Sequence, residues 1–166
     1  MEDRIRQAFL EGAKRRERVL VSACLLGTPC RYDGKSKKCS EVEKLEKYFD
    51  FIPVCPEVMG GLKTPRDPSE IQNEKVISKK GRDVTQNYHD GAYWSVAACK
   101  VKSISLAILK ENSPSCGVHF IHDGSFTGKL ISGKGITIRR LEKIGVLSID
   151  EEEAKELLSL LEKNDA

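Results

Sequence analysis

Val19-Leu-Val-Ser-Ala-Cys-Leu-Leu-Gly-Thr-Pro-Cys30 decides the fold. A β-type run, Val19–Ala23, passes straight into Cys24, and Gly27 and Pro29 then turn the chain. The same event recurs twice. Phe51-Ile-Pro-Val54 runs into Cys55-Pro-Glu57, and Ser105-Leu-Ala-Ile-Leu109 precedes Cys116 by one short loop. Parallel strands made from these runs would bring their carboxyl ends side by side, where open α/β sheets hold their ligands. Cys24, Cys55 and Cys116, distant in sequence, would then converge. Three converging thiolates suit a metal centre, and three rather than four leave one metal position open for substrate.

Between these runs the signals are helical. Residues 2–17 carry Ile5, Phe9, Leu10 and Ala13 on one stripe. Ser40-Glu-Val-Glu43 reads as a capping box opening a short helix to about Tyr48, and Asp83 with Gln86 starts another that runs to Cys99. Ile136–Lys143 reads as a helix and Val146–Ile149 as a small strand. Asp150-Glu-Glu-Glu153 then caps a last helix with Ala154, Leu157, Leu158 and Leu161 inward. Residues 63–80 read as irregular, and Gly124 and Gly128 as turns. The alternation predicts an α/β fold: a single three-layer domain over 1–166, with a mainly parallel, Rossmann-like sheet and cysteine-bearing loops at the strand carboxyl ends.

The chain has 166 residues, enough to bury one core. With 39% hydrophobic and 32% charged residues it has neither a disordered nor a membrane composition. Met1-Glu-Asp-Arg-Ile-Arg6 is charged where a signal peptide needs an apolar segment, so the expectation is cytoplasmic. Six cysteines in a reducing compartment point to metal binding, catalysis or packing rather than disulfides. No close CxxC pair anchors a zinc ribbon or a thioredoxin motif. The net charge of +3 is mild, and the Lys/Arg clusters lack interleaved aromatics, so no nucleic-acid partner is indicated.

The thiols have two readings: ligands of an iron–sulfur cluster, or small buried hydrophobes. Cys30 shares a loop with Cys24 and is a possible fourth ligand, which would permit a closed cluster or a zinc staple. Cys39 and Cys99 read as structural. Glu57 follows Cys55 by two residues, with Pro56 fixing the backbone between them, and is a candidate general base. Ser113 and Ser115 flank Pro114 before Cys116 and offer hydroxyls, or else simply shape a turn. Arg66 and Arg82 are candidates for a ligand's anionic or carbonyl groups, or for ion pairs. His119 and His122 lie in a strand-like context and are left outside the site. No glycine-rich phosphate loop of dinucleotide or Walker type is present.

Val21-Ser-Ala-Cys-Leu-Leu-Gly27, Cys30-Arg-Tyr-Asp-Gly34, Val54-Cys-Pro-Glu-Val-Met-Gly-Gly-Leu62, Thr64-Pro-Arg66, Gly81-Arg-Asp-Val-Thr85 and Leu109-Lys-Glu-Asn-Ser-Pro-Ser-Cys-Gly117 together resemble the thiouracil desulfidase family, over about residues 20–145. The resemblance implies a [4Fe–4S] cluster held by Cys24, Cys55 and Cys116, with one iron free to take the sulfur of a substrate such as 2-thiouracil. It implies Glu57 as acid/base and Ser113 as catalytic hydroxyl, with sulfur leaving as hydrosulfide and no net redox change. The implied partner is a small thio-substrate. A cluster or sulfur carrier serving a partner protein is the alternative. Substrate identity and oligomeric state are not legible at this level.

Overall fold

In the computed structural model, which describes residues 1–166, β1 (Arg18–Ser22) lies inside a four-stranded parallel sheet. Its neighbours are β2 (Asp50–Val54) and β5 (Leu106–Ile108), and β8 (Leu147–Ile149) closes the order β2-β1-β5-β8. The connections are α1 (Asp3–Lys14) before the sheet, α2 (Ser40–Lys44) between β1 and β2, and α4 (Thr85–Lys102) before β5. α5 (Ile136–Lys143) precedes β8, and α6 (Glu151–Asp165) follows it.

Side-chain alternation explains the layering. Val19, Val21, Leu106 and Ile108 pack on one face with Phe9, Val42 and the α6 residues Ala154, Leu157, Leu158 and Leu161. Leu20 and Ala107 point to the other face and meet Val96 and Cys99 of α4 and Ile138 and Leu141 of α5. With both faces covered, the strands read as continuous apolar runs. Each fully buried Leu, Ile or Val contributes about 1.5–3 kcal/mol relative to exposure, upper values that chain entropy offsets. The predicted three-layer fold, its strand positions and its last capping box are all present. Asp150 Oδ1 accepts from the Glu153 amide at 2.8 Å, and Glu153 Oε1 accepts from the Asp150 amide at 3.2 Å.

Three local expectations are corrected. Residues 63–80 are not wholly irregular: β3 (Ser69–Gln72) and β4 (Lys75–Ser78) pair as an antiparallel hairpin. Asn73 and Glu74 both have positive φ at its two-residue turn, the geometry that matches strand twist. β6 (Phe120–His122) and β7 (Leu130–Ser132) form a second hairpin, with the expected turns at Gly124 and Gly128 between its strands and the strand-like context of His122 in its first. The segment after Cys55 is not a plain loop but a one-turn helix, α3 (Pro56–Met59), with proline at its first position. Ser40 does not cap α2. Cys39 occupies that position, and the Ser40 hydroxyl bonds the Glu41 carboxylate at 3.0 Å instead.

Candidate metal and catalytic centre

Strand register brings the three loops together. Ser22 of β1 pairs with Val54 of β2, and Val21 pairs with Ile108 of β5. Cys55 follows Val54 directly, and Cys24 lies in a 3₁₀ turn, Ala23–Leu26, immediately beyond Ser22. The first loop is pinned where it returns: the Lys37 amide donates to Cys24 O at 3.0 Å and the Cys39 amide to Leu25 O at 2.9 Å. The third loop is tied to β1 by the Lys110 amide, which donates to Ser22 Oγ at 2.9 Å. Ser113 Oγ accepts the amides of Ser115 and Cys116, each at 3.1 Å, and so shapes the turn that presents Cys116.

One cavity of about 310 Å³ opens at these loops. Cys24, Cys30, Cys55, Cys116, Glu57, Ser113, Ser115 and Arg66 all line it, whereas the other arginine candidate, Arg82, does not. Cys39 and Cys99 lie elsewhere, in the two helix layers. All six cysteines are free thiols.

The thiols are not equivalent. Burial, and then the Cys55 charge, push Cys24 up to about 11. Burial likewise pushes Cys116 up to about 12, against hydroxyls of Ser115 and Ser22 that favour its thiolate. Cys55 is drawn down to about 6 because the Cys30 thiol and the Val58 amide both donate to its sulfur, against burial. Cys30 is raised as the matching donor. Buried thiols that resist ionisation and sense each other's charge are what a bound cationic centre would relieve.

No three of these sulfurs lie mutually within 4.8 Å. Three thiolates on a single tetrahedral zinc, each at about 2.3 Å, would sit roughly 3.8 Å apart. The donor set therefore fits a centre of several metal atoms better than a zinc staple. The tight donor group in the chain is Glu111, His119 and Asp150. There the Glu111 carboxylate is already engaged by the amides of Asn112, Val118, His119 and Phe120 at 2.8–3.2 Å.

Glu57 is held from two sides. Arg66 Nε donates to Oε1 at 3.1 Å and Ser115 Oγ to Oε2 at 3.1 Å, with Ser113 Oγ 2.9 Å from Ser115 Oγ. Arg66 also donates to the carbonyl of Cys30 at 2.9 Å, so it joins the first and second loops. Its role is an ion pair rather than a free ligand contact. The buried phenol of Tyr88 lies against the same carboxylate, and burial, then the Glu57 charge, raise it well above its ordinary range. α3 reaches this position because two glycines allow its backbone to touch α4. A Cβ on Gly91 would stand 1.9 Å from Pro56 O, and one on Gly60 1.9 Å from Asn87 O.

The sequence reading missed three features of the wall. Ser115, not Ser113, contacts Glu57 directly. Tyr88 carried only a helical-core signal. His122 lines the cavity although it was left outside the site.

Comparisons with known proteins agree with this fold. The solved structure of the [4Fe–4S]-dependent thiouracil desulfidase TudS is 41% identical and superposes with a TM-score of 0.80, covering 88% of this chain and 98% of that one. YbbK of Bacillus subtilis (strain 168), an uncharacterized protein, is 40% identical over 150 residues, 84% of this chain and 99% of its own length. The model of the 2-thiouracil desulfurase family matches residues 19–153. The chain belongs to the 2-thiouracil desulfurase family.

Proposed function

We propose that this protein is a [4Fe–4S]-dependent desulfidase that hydrolyses the thiocarbonyl of a thiouracil-like small molecule and releases hydrosulfide. The observation that carries it is the single cavity lined by three strand-end cysteines together with a doubly held glutamate and a serine pair. We assign Cys24, Cys55 and Cys116 as the cluster's ligands, with Cys30 a neighbour of Cys55 in the same cavity. When bound, the cluster supplies one iron without a protein ligand, a Lewis acid for the substrate's sulfur.

The chain's own residues then handle water and protons. The Ser115 proton is directed at Glu57, so the resting relay runs Ser113 to Ser115 to Glu57. Glu57 is left as the acceptor for a proton from water, and Arg66 keeps it from swinging away. Reversal of the hydroxyl chain returns that proton toward the leaving sulfur. The balance is thiocarbonyl plus water giving carbonyl plus hydrogen sulfide, with no electron acceptor needed.

We further propose that residues 1–166 act as one domain in a reducing compartment, the cytoplasm. No helix is long and apolar enough to cross a membrane, and six free thiols suit that setting. The presence of a fourth thiol in the cavity favours a second reading, a fully ligated cluster in a carrier. Replacing each cysteine by alanine decides between them. Cys24→Ala, Cys55→Ala and Cys116→Ala should each lose iron and sulfide release, whereas Cys30→Ala should keep its iron. Loss of iron from Cys30→Ala as complete as from the other three, with no sulfide released by the loaded wild type, would favour the carrier.

A further inference from the structure

We infer that His122 selects the substrate: its imidazole Nδ1 hydrogen-bonds the carbonyl of a cyclic thioamide bound in the cavity. The inference rests on the desulfidase reading and extends it to what the pocket recognises.

Nearly every other polar group argued for in the cavity is already engaged by the protein. Glu57 is taken by Arg66 and Ser115, Ser113 by Ser115, Lys110 by Glu151 at 2.7 Å, and Arg31 by Asp33 at 3.4 Å. His122 is different. Its Nδ1 is buried with no partner, and no other residue of the cavity wall has a buried side-chain nitrogen or oxygen left so. A buried polar atom without a partner is costly and calls for an explanation.

The ring is also held in place. β6 runs beside the third loop, where Ile121 bridges Asn112, next to Ser113. Ile121 faces inward onto Ile71, Val76 and Tyr88, and strand alternation turns its neighbour His122 to the other side. The hairpin is fastened just beyond it: Gln72 Nε2 donates to Gly124 O at 2.6 Å, and the Gly124 amide donates to Glu70 Oε1 at 2.9 Å. The wall at this position would be filled as well by an apolar side chain, so packing does not account for the imidazole. In either neutral tautomer it offers one donor and one acceptor. The two nitrogens point in divergent directions, so one of them, Nδ1, meets the substrate, and as N–H it donates to the ring carbonyl of a thiopyrimidine. Acyclic thioamides lack that carbonyl.

The test compares the cluster-loaded wild type with His122→Phe, which keeps a flat ring, and His122→Gln, which keeps hydrogen-bonding capacity. Calorimetric binding of uracil and the KM and kcat for 2-thiouracil are measured beside iron content. The phenylalanine variant should weaken uracil binding and raise KM about tenfold, with kcat changed by no more than about twofold and iron unchanged. The glutamine variant should recover part of the loss, and thioacetamide should show no difference among the three. Unchanged uracil binding in His122→Phe overturns the inference, as does loss of iron, which would make the residue structural. Wild type that binds uracil yet releases no sulfide overturns the desulfidase reading, while the variants' uracil affinities still decide the role of His122. Wild type that binds neither pyrimidine overturns both.

Discussion

At the scale of single residues, the site gathers four thiols at one cavity and sets a carboxylate among donors beside them. Glu57→Gln keeps the shape and the Ser115 contact but removes the proton acceptor. It should lower kcat for sulfide release by roughly 10²–10⁴-fold while iron content stays at the wild-type level. Arg66→Ala acts differently, because Arg66 and Glu57 are only 9% and 16% exposed. Breaking a buried pair from one side leaves the other charge uncompensated, so urea denaturation should show a loss of about 3–5 kcal/mol. The cysteines, Glu57 and the serines were legible in the sequence because each abuts a strand end or a proline. The Arg66–Glu57 pairing was not, since nothing in the spacing of the two residues shows that the intervening turn folds back. Nor could the sequence rank Ser113 against Ser115. One shapes the turn through two backbone amides while the other reaches the carboxylate, a division that depends on rotamers.

At the scale of elements, α3 is a single turn carrying Glu57, and its placement depends on the glycine contact with α4. Gly91→Ala forces Cβ into Pro56 O at 1.9 Å, so thermal unfolding should shift down and turnover should fall with it. Unchanged stability would mean that α3 is free to shift. α6 provides a pH test. Burial, and then the neighbouring Glu111 carboxyl, raise Asp150 to about 6, above its unfolded value near 3.9. The folded state therefore binds the extra proton, and this group's stabilisation is full below about pH 4 and lost as pH rises through about 6. Asparagine also caps helices well. Asp150→Asn should thus keep α6 folded and flatten the stability profile between about pH 4 and 7. Parallel strands were legible as apolar runs of the right length. The β3–β4 hairpin was hidden because Asn73-Glu74 makes its turn without the glycine that usually signals one. The β6–β7 hairpin was half legible: the strand-like context of His122 and the turns at Gly124 and Gly128 were readable, but the short exposed β7 carried no strand signal.

At the scale of the whole molecule, the sheet order β2-β1-β5-β8 makes the cavity. Three cysteines, each recruited by a different strand, meet only when the tertiary fold is complete, and the metal in turn binds only the folded chain. Cluster binding and folding are then linked, so the loaded protein should melt at a higher temperature than the iron-free one. The central claim is that this cavity holds an iron–sulfur cluster and uses it to remove sulfur. The most direct measurement is iron and sulfide content after anaerobic reconstitution, followed at once by addition of 2-thiouracil with assay of hydrosulfide and uracil. A desulfidase of this kind should take up about four irons per chain and release hydrosulfide in step with uracil. A protein that takes up no iron, or holds stoichiometric zinc in its place, would contradict the claim.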